Sequence, residues 1–123
     1  MNSTLIRYAL IASFWGAVAF TFACAEMPAR LSPQLFPWDK AEHFLAFYVL
    51  ASLAAAAYPR VPLIIVALWL SLFGATIELV QALPIVHRDC DIWDWVADSA
   101  AIAAALAPTL LDRWRRHALK ASD

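Results

Sequence analysis

Charge is what this sequence lacks most. Of its 123 residues, 15% are Asp, Glu, Lys or Arg and 63% are hydrophobic, with a net charge of −1. Mean hydropathy is +0.66. A water-soluble domain has about a quarter of its residues charged and about half apolar, so this chain has too little polar side chain to coat itself in water. A lipid bilayer is the solvent that fits it. The near-neutral balance lacks the basic stripe that nucleic-acid binding needs. Repeats, low-complexity tracts and interdomain linkers are missing as well, which leaves a single domain over residues 1–123. Nor is there the apolar–polar alternation over about ten positions that marks the strands of a membrane β-barrel.

What is present is four apolar stretches, at residues 6–25, 41–58, 62–83 and 93–111. Each has roughly the 18 to 22 residues that a helix needs to cross a hydrocarbon core. The connectors agree. Residues 26–38, EMPARLSPQLFPW, carry three prolines and read as extended chain. YPRVP, at 58–62, is a tight turn that makes the second and third helices an antiparallel hairpin, and PIVHRDCD, at 84–91, is a polar loop. Trp38, Trp93 and Trp95 fall where an interfacial aromatic belt would place them. The expected fold is an all-α integral membrane four-helix bundle.

Orientation follows from Lys and Arg. Four crossings put Arg7, Arg60, Arg113, Arg115, Arg116 and Lys120 on one side, against Arg30, Lys40 and Arg88 on the other. The positive-inside rule then gives N-in, C-in topology in a bacterial cytoplasmic membrane. The first stretch has a rival reading, because Arg7, an apolar core and Ala23-Cys24-Ala25 resemble a cleaved signal peptide. Its length and the even helix count favour a retained helix. Cys24 and Cys90 both fall at the outer face, where a disulfide survives in an oxidising compartment; two unrelated small residues is the other reading.

The scarce charges are not scattered. WDKAEHF, at 38–44, packs Asp39, Lys40, Glu42 and His43 into five positions. Asp39 and His43 are four apart, hence on one helix face. Glu78 and Gln81 share a face near the end of the third helix. Asp91, Asp94 and Asp98 form one stripe at the start of the fourth, with Arg88 just before them. Four-crossing topology brings all three helix ends to the outer rim. At 1.5 Å per residue, Asp98 lies about 10 Å below Asp91, and Glu78 about 4 to 5 Å below Gln81. Carboxylates at such depth face a bundle interior or a wet cavity, because lipid exposure costs roughly 2.5 to 3.5 kcal/mol. Gly74 and the Ala97, Ala101, Ala105 ladder provide a seam of small residues for close helix approach.

Each of these residues has a plainer reading beside the functional one. Asp91 caps the fourth helix and Asp94 favours its dipole, or both line the pocket. Lys40 and Glu42 read as solvated surface charges. Asp39, His43, Glu78 and Asp94 are the candidates for chemistry, with Gln81, Arg88, Asp91 and Asp98 for substrate contact. Several carboxylates with one histidine, and no cysteine cluster, suit a hard divalent cation such as Mg²⁺ or Ca²⁺. A proton shared among crowded carboxylates, with His43 oriented by Asp39 as a base, is the alternative.

In order, these residues read Asp39-Lys40-x-x-His43 with Tyr48 on the same helix, Gly74-x-x-x-Glu78-x-x-Gln81, and Arg88-x-x-Asp91-x-x-Asp94-x-x-x-Asp98. That succession resembles the VanZ-like family of small bacterial membrane proteins, over residues 38 to about 105. Family members typically carry Asn at the position of Asp98 and Gly at that of Ala101. The resemblance implies a cell-envelope protein associated with resistance to glycopeptide antibiotics of the teicoplanin type, which act on outer-face precursors. The expected partner is therefore a membrane lipid or cell-wall precursor. Two other functions fit the composition: a small proton-coupled transporter, and a non-catalytic accessory subunit of a membrane complex. The small multidrug exporters carry a membrane-embedded carboxylate in their first helix, which this chain lacks.

Overall fold

The computed structural model describes residues 2–120. Among them are four α-helices: α1 (Ser3–Glu26), α2 (Asp39–Ala57), α3 (Leu63–Gln81) and α4 (Ile92–Lys120). A single 3₁₀ turn, Pro84–Val86, lies between α3 and α4. The boundaries of α1 to α3 lie within three residues of those expected. The fourth helix is the exception, running nine residues past Leu111 to Lys120 with Pro108 inside it. Hydropathy falls after Leu111, but DRWRRHALK contains good helix formers, and Asp112 pairs with Arg116 one turn on.

Local chemistry explains the other ends. The Asn2 side chain accepts the Thr4 backbone N–H and starts α1. α2 stops before Tyr58-Pro59, since a residue preceding proline is pushed out of helical backbone. Pro62 then opens α3 at little cost, because the first N–H groups of a helix lack partners in any case.

The helices run antiparallel in sequence order. At one end, Trp15 Nε1 donates to the Tyr58 hydroxyl at 2.8 Å, and Arg113 donates to the Pro59 carbonyl. At the other, the end of α1 meets the end of α3, and the starts of α2 and α4 meet each other. α2 and α4 share the most extensive contact, α3 packs on α4, and α1 lies more loosely along α2. The buried stripe of α3 is Leu63, Val66, Leu70, Gly74, Ile77, Glu78 and Gln81. That of α4 is Asp94, Asp98, Ala101, Ile102 and Leu106. Both follow the three-and-four spacing of a helix face turned to a bundle core. Polar residues thus occupy core positions at one end, and aliphatic ones fill the rest.

The outside is apolar. Trp15, Phe20, Ile64, Leu68, Trp69 and Leu79 are all more than half exposed. α1, α3 and α4 are long and apolar enough to cross a membrane. This is a membrane protein. α2 is not among those three helices despite its 19 residues, its first turns being polar with Asp39, Lys40, Glu42 and His43.

Candidate functional site

Helix register delivers the polar residues to one place. α3 and α4 continue their buried stripes into Glu78, Asp94 and Asp98, and α2 brings His43 against them. Glu78 is 5% exposed, Asp94 4% and Asp98 0%. Burial this deep demands partners, and they are specific. His43 Nδ1 lies 3.0 Å from Asp98 Oδ1, and His43 Nε2 lies 3.6 Å from Asp94 Oδ2. Glu78 Oε2 accepts the Asp91 backbone N–H at 3.0 Å, tying the end of α3 to the start of α4. One ligand atom from each of His43, Glu78 and Asp94 lies within 4.8 Å of the other two.

Lys40 is the cation of this network. Its Nζ donates to Asp91 Oδ2 at 2.6 Å and to Asp94 Oδ1 at 2.9 Å. It is therefore no solvated bystander. A residue next in sequence to Asp39 points away from Asp39's face, but the long Lys stem reaches across to α4. Asp91 does two things, accepting from Lys40 and, through Oδ1, from the Trp93 N–H at 2.9 Å. It is thus both cap of α4 and rim of the cluster. The Lys40 hydrogen bond, then the Trp93 N–H, hold its carboxyl below the ordinary aspartate value.

Three expectations need correction. Asp39 does not orient His43; its side chain is 64% exposed and accepts only the neighbouring Lys40 N–H, while Asp98 takes the place beside the ring. Gln81 is turned to α1, where Nε2 donates to the Ala25 carbonyl at 2.9 Å, filling one of the acceptor sites a helix end leaves open. Glu42 is not a free surface charge either, since its Oε1 accepts the backbone N–H groups of both Leu35 and Phe36. It ties the proline-rich connector to α2.

Beside the cluster lies a cavity of about 190 Å³, lined by Cys24, Asp39, Glu42, His43, Ile77 and Arg88 among others. His43 belongs to both cavity and cluster. Arg88, half-buried in the α3–α4 connector, supplies a cation to the cavity wall. Glu26 escaped the sequence reading because it falls at the edge of the proline-rich connector. It ends α1 inside the bundle, with both oxygens buried and without hydrogen-bond partners, in the electrostatic reach of Arg88 and Glu78. Its placement at the end of α1, level with Gln81, was the available signal. Cys24 and Cys90 are both free thiols, so no disulfide joins them.

Comparison of the chain with protein-family models, with curated proteins and with solved structures finds no match.

Proposed function

We propose that this chain is a VanZ-like multipass protein of the bacterial cytoplasmic membrane that binds a lipid-linked or cell-wall precursor at the outer leaflet. In this reading all four helices cross the bilayer, with both termini inside and the cluster end outside. The observation that carries it is the pairing of the buried Glu78, Asp94 and Asp98, with the half-buried His43 against them, and a cavity whose wall holds Arg88. Arg88 would take an anionic headgroup through its planar fork of donors. His43, at the boundary, would contact the same group while Asp98 holds its Nδ1. The glycopeptide association of the family is consistent with a binder of outer-face precursors.

Binding of a lipid-linked cell-wall precursor to the purified full-length protein in detergent tests this, with an ordinary anionic phospholipid as competitor. Wild type should prefer the precursor, and both Arg88→Ala and Glu78→Ala should weaken that preference. Equal binding of the two lipids, or indifference to both substitutions, would overturn the proposal. Labelling of the exposed Cys90 by a membrane-impermeant thiol reagent on intact cells tests the orientation separately. Protection of Cys90 in intact cells, with labelling after lysis, would reverse the assigned sides.

A further inference from the structure

The polar cluster has more acidic side chains than basic ones to pair with them. Glu78, Asp91, Asp94 and Asp98 face Lys40 and His43 alone in the ion pairs of this end of the bundle. Lys40 is spent on Asp91 and Asp94, and His43 on Asp98. Glu78 is 5% exposed, and no cationic side chain pairs with it among the described residues. Its Oε1 is buried and has no hydrogen-bond partner, although the Cys90 thiol lies close by. A buried carboxyl oxygen with no donor near it stronger than a thiol is costly, and Glu78 faces His43 and Asp94.

The histidine geometry points the same way. His43 Nδ1 is held by Asp98 Oδ1 at 3.0 Å, which leaves Nε2 turned toward Asp94. A carboxylate on one ring nitrogen with the other nitrogen free is the arrangement that orients a metal-bound histidine. The distance from Nε2 to Asp94 Oδ2, 3.6 Å, is too long for a hydrogen bond. For this pair it is close to the separation of about 3.4 Å between two ligands bonded at about 2.1 Å to one tetrahedral ion, while the widest separation in the group, up to 4.8 Å, would have to shorten on binding. Meanwhile Lys40 occupies Asp94 Oδ1, so Asp94 would offer the metal Oδ2 alone.

We infer that His43 Nε2, Glu78 and Asp94 Oδ2 form a binding site for a single first-row divalent cation of the Zn²⁺ or Mn²⁺ type, with Asp98 as a positioning residue behind His43. The imidazole nitrogen sets the class. This departs from the hard cation, Mg²⁺ or Ca²⁺, expected from several carboxylates with one histidine: those ions take oxygen ligands, whereas a site in which the imidazole nitrogen itself faces the carboxylates suits Zn²⁺ or Mn²⁺. Three protein ligands leave a coordination position open for water or an anionic ligand, and one of the three, His43, also lines the cavity. The inference concerns the same cluster as the proposed precursor site, but the metal is measured with no precursor present, so either can fail alone.

The test is metal content of the full-length protein in detergent, stripped with a chelator, incubated with Zn²⁺ or Mn²⁺ alone and desalted. Wild type should retain about one ion per chain. Glu78→Gln and His43→Gln should each bind more than about tenfold more weakly, and Asp98→Leu about tenfold. Asp112→Asn, far along α4, should bind as wild type does. X-ray absorption on the Zn²⁺-loaded wild type keeps the inference testable should the variants fail to fold. It should show one imidazole nitrogen, oxygen donors and no sulfur. No retained metal, the result expected if Glu78 and Asp98 hold protons instead, would overturn the site. So would equal retention in Glu78→Gln, or a metal without imidazole scattering.

Discussion

Asp98 occupies the space that a side chain at Gly74 would fill: a Cβ built on Gly74 would stand 2.7 Å from Asp98 Oδ2. The glycine on α3 and the carboxylate on α4 are therefore complementary parts of one contact, and the contact sets where the His43 ring is held. Gly74→Ala isolates it. On helix propensity alone the substitution should stabilise by about 1 kcal/mol. The clash opposes this, because overpacking a tight core costs about 1–3 kcal/mol and Asp98 is 0% exposed. The clash should win, lowering the melting temperature in detergent, and the loss should shrink in an Asp98→Ala background. A Gly74→Ala protein as stable as wild type would mean that Asp98 can move without cost.

Much of this site is legible in the sequence, and the reason is periodicity. Spacings of three and four put Glu78 on one face of α3 and Asp94 with Asp98 on one face of α4, and four antiparallel helices bring those faces to one end. What spacing does not reveal is reach. Lys40 lies off the His43 face by position, yet its flexible stem carries Nζ to Asp91 and Asp94. Asp39 has the right spacing to His43, but a short side chain in the first turn stays in the open. Glu42 and Gln81 found backbone partners, Leu35, Phe36 and Ala25, in segments whose path no periodicity describes. The tail of α4 was missed for a different reason, since hydropathy measures the membrane and the helix outlasts it.

Asp91 gives the bundle a dependence on acid. Its carboxyl is held below the ordinary value of 3.8, first by Lys40 and then by the Trp93 N–H. A depressed folded-state value means that the unfolded chain binds the proton more readily. The stabilisation is thus complete above about pH 5 and is lost as pH falls through 3.8 toward the lower folded value. Thermal melts in detergent between pH 6 and pH 2.5 should show wild type losing more stability than Asp91→Asn, with the two curves converging at the acid end. Parallel curves would show that Lys40 does not act on Asp91 in solution. Lys40→Met should lower the melting temperature at pH 7, because it leaves the buried Asp94 without its cation.

Gln81 docks α1. Its Nε2 binds the Ala25 carbonyl, while its Oε1 is buried without a partner. Gln81→Leu loses a hydrogen bond worth about 1 kcal/mol but also removes the unpartnered oxygen, so its net effect on stability should stay within about 1 kcal/mol. Gln81→Glu should be worse, since a carboxylate would face the carbonyl that the amide now serves. Cys24, half-buried in the last turns of α1, reports the detachment directly. In a Cys90→Ser background, Cys24 should react with a thiol reagent faster in Gln81→Glu than in wild type. Unchanged labelling would separate α1 docking from this hydrogen bond.

Glu42 should act through shape, not charge. Its Oε1 gathers the N–H groups of Leu35 and Phe36, which closes the proline-rich connector over the start of α2 and beside the cavity. Glu42→Gln keeps an acceptor oxygen at the same reach and should change little. Glu42→Ala leaves both N–H groups to water and should cost about 1 kcal/mol or less, because the site is exposed and water replaces the lost acceptor. The larger effect should be local. Amide exchange at Leu35 and Phe36 should quicken in Glu42→Ala and remain slow in Glu42→Gln, while exchange in the middle of α2 stays unchanged. Fast exchange in wild type would show the connector open already, and the cavity wall would then lack the edge that Glu42 gives it.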